Sequence, residues 1–370
     1  MKKLASLILV ICFTVISLSL VSAEPKMIEV ESGDTLWGIA EKYLGDGRLW
    51  RAIADYNNIK DPDLIYPGNL FELKNLFELK IPEIARVKFT AAVGEVKIKK
   101  AETKEIVEAK EGNYLQPYDE VIVGANSRAE LKLEDKSTVR VKPETSMRLK
   151  ESLREDGQGI KTKIELLLGR ISTRVNRLKN PKFEVETPTG VCGIRGTYLL
   201  TEYTPDEIFK ISVFEGEARA AAAGKEVDIP AGHGSQIVKG EPPSPPTPLL
   251  QPSELLMPGN GYVTDLPATS FDWKPVPGAV NYHFELSRDK AFNDVAYEVK
   301  KTEATSVATT LKPDKYYWHV SSIDGFGLEG RFSQVRQVRI LKAGEKDYRS
   351  TIAGTIFILV NAILLSNVIR

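Results

Sequence analysis

The chain opens on an uncharged, mostly apolar run from Leu4 to Leu20, preceded by Lys2 and Lys3 and followed by Val21, Ser22 and Ala23. A basic end, an apolar stretch and small residues in that order predict a secretory signal peptide over residues 1–23. The pattern then changes. Ile28 and Val30 share one face of a short strand, and Ser32-Gly33-Asp34 makes a turn. Asp34 or Thr35 can cap a helix whose apolar stripe is Leu36, Ile39, Ala40 and Tyr43, with Gly45 and Gly47 ending it. Leu49, Ile53 and Tyr56 mark a second helix, broken by Asn57-Asn58 and Asp61-Pro62. A closing strand follows, but NLFELK occurs twice, from Asn69 to Lys74 and from Asn75 to Lys80. A six-residue repeat preserves two-residue alternation, so either copy can pair with Ile28–Val30 in the same facing.

Alternating runs dominate residues 87–240, among them VGEVKIKK, AELKLEDKSTVRV, IELLLGRISTRV and IFKISVFEGEARA. Glycine, asparagine and aspartate separate them, which predicts a sandwich, a roll or a β-helical stack. Lysine, arginine and glutamate crowd the outward positions as a solvated face. Residues 241–260 are dense in proline and predict a semi-rigid extended spacer. Across residues 261–342 the alternation returns, with Phe271 and Trp273 on one face, then Tyr282, Phe284 and Leu286, then Tyr316, Trp318 and Val320. His283 and His319 fall on the opposite, outward face. The last segment, 351–370, has no charge before Arg370 and predicts a terminal apolar helix that anchors in a membrane or self-associates. The fold class is therefore multidomain and mainly β, with one small βααβ unit at the front.

Charge narrows the partners little. The whole chain has 50 basic and 50 acidic residues, and loss of Lys2 and Lys3 leaves the exported form slightly acidic, so no nucleic-acid partner is expected. Cys192 is the one cysteine left after cleavage, which excludes an internal disulfide framework and a cysteine-based zinc cluster within one chain. Between glycines, it reads as a small packed residue.

The pieces SGDTLWGIAEKY and DPDLIYPGN, in that order and spacing, resemble the LysM domain, and the resemblance covers residues 27–80. It implies binding of peptidoglycan or a related N-acetylglucosamine polymer. In that family the sugar lies between the loop entering the first helix and the loop before the last strand. Carried over, the groove is Gly33, Asp34, Thr35 and Leu36 facing Ile59, Leu64, Ile65 and Tyr66. Trp37 and Trp50 read as core residues at helical spacing.

Gly190, Gly193 and Gly196 recur every three residues inside FEVETPTGVCGIRGTYLLTEY, each expected at a tight turn or a close backbone approach. A phosphate cradle needs a helix amino terminus after such glycines, whereas TYLLTEY continues as strand. The stretch resembles the core of the FecR domain through Thr187, Pro188, Gly190, Gly193, Arg195, Gly196 and Thr197, with Cys192 where that family has a small residue such as alanine. Arg195 is expected to donate hydrogen bonds to backbone carbonyls or to an acid and so fix the turn. The best-known FecR role is the periplasmic part of an iron-uptake regulator. That role needs a cytoplasmic amino-terminal segment and a membrane span, and the signal peptide joined to LysM argues against it here. Residues 261–342 resemble a fibronectin type III-like domain through Trp273, Tyr282 and Tyr316-Tyr317-Trp318.

No nucleophile, base and orienter, no paired carboxylates and no three-histidine metal site are supported by motif or spacing. The sequence therefore predicts a non-enzymatic, exported envelope or periplasmic protein, membrane-associated, without cofactor or metal. It binds peptidoglycan through LysM and presents its two β domains to an unidentified envelope protein. The alternatives are an envelope sensor or assembly partner whose FecR-like domain recognises another protein and, behind it, a wall-glycan hydrolase.

Overall fold

Two units divide the chain after residue 82. The computed structural model describes residues 26–345 apart from 63, 74–82, 102, 156–158, 177–181 and 343. The signal peptide over 1–23, the second NLFELK copy and the apolar tail over 351–370 lie outside the described residues. Among the described residues, no helix is long and apolar enough to cross a membrane.

The first unit follows its pattern closely. Strand Lys26–Glu29 pairs antiparallel with Leu70–Leu73, so the first NLFELK copy closes the sheet. Helix α1, Leu36–Leu44, buries Leu36, Ile39 and Ala40. Thr35, not Asp34, is its cap, accepting from the Gly38 amide at 3.0 Å. Asp34 instead ties the turn, accepting from the Glu31 amide at 2.9 Å. Helix α2, Trp50–Tyr56, packs Trp50, Ile53 and Ala54 inward. The Asn57 side chain that ends it also pins the closing strand. Its amide nitrogen donates to the Ile53 and Glu72 carbonyls, and its oxygen accepts from the Glu72 amide at 2.8 Å.

In the second unit, fifteen of the described strands join one curled sheet that wraps a single apolar core from Val87 to Ile237. The curl depends on three long strands, Gly159–Arg174, Val191–Tyr203 and Ile208–Ala222, each of which changes partner partway along. The first half of Val191–Tyr203 pairs with Lys182–Glu186, and its second half pairs with the end of Gly159–Arg174. The change falls at Arg195-Gly196-Thr197, where the register against Ile208–Ala222 shifts. Gly196 takes φ +62° and Gly216, opposite, takes φ +79°. A Cβ on Gly216 would meet the Gly196 carbonyl oxygen at 2.7 Å, so the two backbones cross there with no room for a side chain. Thr197 Oγ1 closes the gap in the ladder by donating to the Glu217 carbonyl at 2.7 Å.

The remaining strands form a two-sheet sandwich. One sheet holds Leu255–Met257, Ala268–Trp273 and Ser306–Thr310. The other holds Tyr262–Thr264, Asn281–Ser287, Val295–Thr302, Asp314–Ile323 and Arg336–Ile340. Its core is the aromatic set expected from alternation, with Phe271, Trp273, Phe284 and Trp318 almost wholly buried. Tyr316 donates its hydroxyl to the Lys312 carbonyl at 3.0 Å, a tyrosine corner of the kind that marks immunoglobulin-like and fibronectin-like sandwiches.

The expected proline spacer is not a free tether. Thr247–Pro248 pairs with His233–Val238, Leu255–Met257 pairs with Ala268–Trp273, and Leu249, Ser253 and Leu255 are buried. Leu249 and Leu328 both press on Gly234, so this connector helps seat the sandwich on the curled sheet. Proline disfavours helix and central strand, but leaves short edge pairings open.

The corner predicts an asymmetry between glycines. Gly216→Ala should lower the stability of this unit by about 2–4 kcal/mol in urea unfolding, through left-handed strain plus the carbonyl clash. Gly193→Ala should change it by less than about 0.5 kcal/mol, because a Cβ there has only the Arg219 carbonyl at 3.8 Å. Equal costs at the two positions would contradict the corner.

Candidate functional site

The expected glycan groove is brought together at one end of the small sheet. The Val30 amide donates to the Asn69 carbonyl and the Gly68 amide to the Val30 carbonyl, both at 2.9 Å, so the Glu31–Leu36 loop and the Tyr66–Asn69 turn leave the sheet side by side. Gly33 sits at φ +91° in the first loop, next to Asp34 and the capping Thr35. Leu36 points into the core and offers the groove backbone only. On the other loop Leu64 and Tyr66 are 57% and 60% exposed, while Ile59 and Ile65 are half-buried. The exposed leucine and tyrosine offer apolar surface of the kind that lines a shallow sugar-binding site.

The FecR-like residues serve architecture. Thr187 anchors a tight hairpin over Pro188, accepting from the Gly190 amide and donating to the Gly190 carbonyl. At Gly190 a Cβ would meet Ile237 Cδ1 at 2.6 Å. Gly193 sits at neither a turn nor a close approach, unlike the expectation. Arg195 also departs from it: the side chain is exposed and makes no hydrogen bond among the described residues, and Thr197 fixes the corner instead. A short hydroxyl can reach across a bulge to the neighbouring carbonyl, whereas the long arginine side chain projects past it. Cys192 is wholly buried, and burial pushes its thiol up to about 12, which leaves it inert.

The unforeseen site lies where the sandwich meets the curled sheet. His283 and His319 are not outward-facing; strand Asn281–Ser287 is buried on both faces. Glu285 accepts from Arg128 at 3.0 Å and from Lys142 at 3.1 Å, and Arg128 also reaches Glu298 at 2.9 Å. Arg170 pairs with Glu329. His283 stands between carboxylates, with Nε2 2.8 Å from Glu298 and Nδ1 2.9 Å from Glu329. Ionised carboxylates only accept, so both ring nitrogens donate and the ring is an imidazolium. His319 donates to Glu285 at 2.8 Å and is stacked between Phe292 and Phe332 at 3.7 and 3.8 Å.

The cations dictate the ionisation of the cluster. Burial opposes charge on Glu329, yet Arg170 and His283 hold it down to about 2. Burial likewise opposes charge on Glu285, and Lys142 and Arg128 keep it well below the usual range. Burial would lower His283, but Glu329 and Glu298 outweigh it and raise the group. At His319 burial wins over Glu285 and lowers it to about 4. His283, Glu285 and Glu298 place ligand atoms within 4.8 Å of one another, but Arg128 and Lys142 already occupy those carboxylates, so a metal ion would meet fixed positive charge.

These opposite shifts predict a stability optimum near pH 6.5 for this unit in calorimetry. His283 is faced by Glu285, Glu298, Glu329 and Arg170, and its raised value gives stability below 6.5 that is lost as pH climbs through the folded value. His319 gives stability above 6.5 that is lost as pH falls toward 4. Lowered carboxylates add their own loss only further into acid. His283→Gln should flatten the alkaline limb and His319→Phe the limb from 6.5 to 4.5. An alkaline limb unchanged in His283→Gln would refute the imidazolium.

Comparison with known proteins agrees with this division. Residues 28–70 match the family profile of the LysM domain, and residues 119–219 match that of the FecR protein. An uncharacterized protein of Deinococcus radiodurans is 56% identical over 39 residues, 10% of this chain and 15% of that relative's length. A candidate anti-sigma factor from Parabacteroides distasonis has 18% identity and a TM-score of 0.30 over 33% of this chain and 56% of its own. The fn3 domain of human collagen alpha-1(XX) has 23% identity and a TM-score of 0.20, over 26% of this chain and 91% of its own. The chain is a multidomain protein that carries a LysM domain, a FecR domain and, behind them, a fibronectin type III-like sandwich.

Proposed function

We propose that this is a non-enzymatic protein of the cell envelope that holds peptidoglycan through its LysM domain and offers the body from residue 83 onward to another envelope protein. The observation that carries the reading is the LysM match at residues 28–70, joined to two loops that leave one sheet end side by side, with Leu64 and Tyr66 exposed on the second. Backbone groups near Gly33 and Thr35 would bond the acetamido group, and Tyr66 and Leu64 would pack on the sugar face. The absence of catalysis is part of the proposal: the carboxylates and histidines that converge are engaged with one another at the junction, where they brace two β bodies. Export to the periplasm or envelope, and attachment of residues 351–370 to a membrane, complete the picture.

A second reading, an envelope sensor or assembly partner, is favoured by the FecR match and by Arg195, which stands exposed on the corner with no intramolecular partner among the described residues. In that reading LysM positions the chain and the FecR face does the recognition.

Co-sedimentation of the mature chain with insoluble peptidoglycan tests the first reading. Tyr66→Ala and Leu64→Ser should each weaken retention roughly tenfold, on the scale of one lost apolar contact, with unchanged melting. Thr35→Ala is a poor probe, since loss of the cap alone costs about 1 kcal/mol. Folded protein that fails to sediment, or a double variant that sediments like the parent, would overturn wall binding. Release of soluble muropeptides would overturn the non-enzymatic assignment.

A further inference from the structure

A cavity of about 350 Å³ opens at the junction between curled sheet and sandwich, within the size range of small-molecule sites. Its charged lining is lopsided. Arg128, Arg140, Lys142, Arg170 and Lys290 face it, against Glu285 and Glu329 alone. The partners behind the wall do not restore balance. Glu298 meets Arg128, and Glu130 meets Arg140 at 2.7 Å, but His283 contributes a further positive charge. Arg170 also faces Glu202, which Lys210 shares, so seven positive groups stand against five carboxylates, and Lys290 at the rim has no ion pair among the described residues.

We propose that this cavity binds a small organic monocarboxylate with an apolar body. Arg140 and Lys290 reach solvent, so the demand falls on the largely buried Arg128, Lys142, Arg170 and His283, which have only Glu285, Glu298 and Glu329 at ion-pair distance. Such a surplus calls for an anion, because a buried cation without full compensation is costly. Lys142 is the group left short: burial lowers its proton affinity more than Glu285 restores it. The rest of the lining selects an organic ligand over a bare inorganic ion. Val141, Leu200, Phe214, Phe332 and Val335 form the walls, so a carboxylate held by Lys142 and Lys290 would carry its hydrocarbon part against them. The ligand would touch both β bodies at once. Its binding would stabilise their docked arrangement by linkage, increasingly with the logarithm of ligand concentration above the dissociation constant.

The test uses the intact mature chain, with melting followed by calorimetry and contact by saturation-transfer NMR. Acetate, hexanoate, benzoate and phenylacetate are the probes, up to about 10 mM, alongside neutral benzamide and inorganic phosphate. At least one of the three larger carboxylates should raise the melting temperature progressively with concentration and show transfer that saturates, while benzamide does neither. Lys290→Glu, on the exposed rim, should fold normally and raise the half-saturating concentration at least tenfold. Lys142→Met, if it folds, should abolish the response. No saturable response to any carboxylate, an equal response to benzamide, or an unchanged response in Lys290→Glu overturns the site. A response to phosphate or acetate equal to that of the larger acids overturns the apolar body of the ligand.

Discussion

Charges removed from water at the junction must be neutralised there, and the arrangement of the larger unit depends on how that is done. Arg128, Lys142 and Arg170 come from the curled sheet, whereas Glu285, Glu298 and Glu329 come from the sandwich. The three cations of the curled sheet thus find their counter-charges on the other side of the seam. Separation would therefore expose a cationic face and an anionic face, and partial loss of the contact would strand a charge in low dielectric, at a cost of about 3–5 kcal/mol for a single missing partner. The proton on His283 belongs to the same balance, because the ring sits between two carboxylates that can only accept. Further contacts continue the seam, with Lys300 pairing to Glu144 and Arg331 donating to the Phe214 carbonyl.

The seam needs the curled sheet to present its cations on one face, and the corner at Arg195-Gly196-Thr197 gives the sheet that shape. Phe214 and Glu215, which receive Arg331, lie immediately before Gly216. The backbone crossing that excludes a side chain at Gly216 therefore also sets where the sandwich is held. The FecR signature reads here as a folding instruction: a hairpin tied by Thr187, a strand that changes partner, and a hydroxyl that repairs the ladder. Arg195 is the signature residue that the corner does not use.

Local pattern made most of the elements legible. Helical spacing found Leu36, Ile39 and Ala40, and alternation found the aromatic core of the sandwich, because both depend on neighbours a few residues away. The LysM resemblance named positions that fall on two neighbouring loops, although Leu36 faces inward. What the pattern missed has one cause. Polar residues alternating with aromatics read as a solvent face, and His283, Glu285, His319 and Ser321 fit that description, yet their face is covered by another sheet of opposite charge. Alternation reports which side of a strand is polar and not what lies over it. The excess of basic residues at 128, 142 and 170 was spread over some forty positions, so only the fold collects it. Likewise, the proline-rich stretch was read from its composition as a spacer, while its leucines decided its packing.

The physical unit is consequently larger than the segment that carries the FecR signature. That segment ends at residue 219, before the Lys225–Pro230 and His233–Val238 strands that complete the curled sheet. The sandwich then supplies the carboxylates for its cations. A FecR segment cut free would lack edge strands and counter-charges together, so the two β bodies make one unit and not two separable modules. The cavity lies inside that joint and not on either body, and for that reason occupancy there would act on the joint itself.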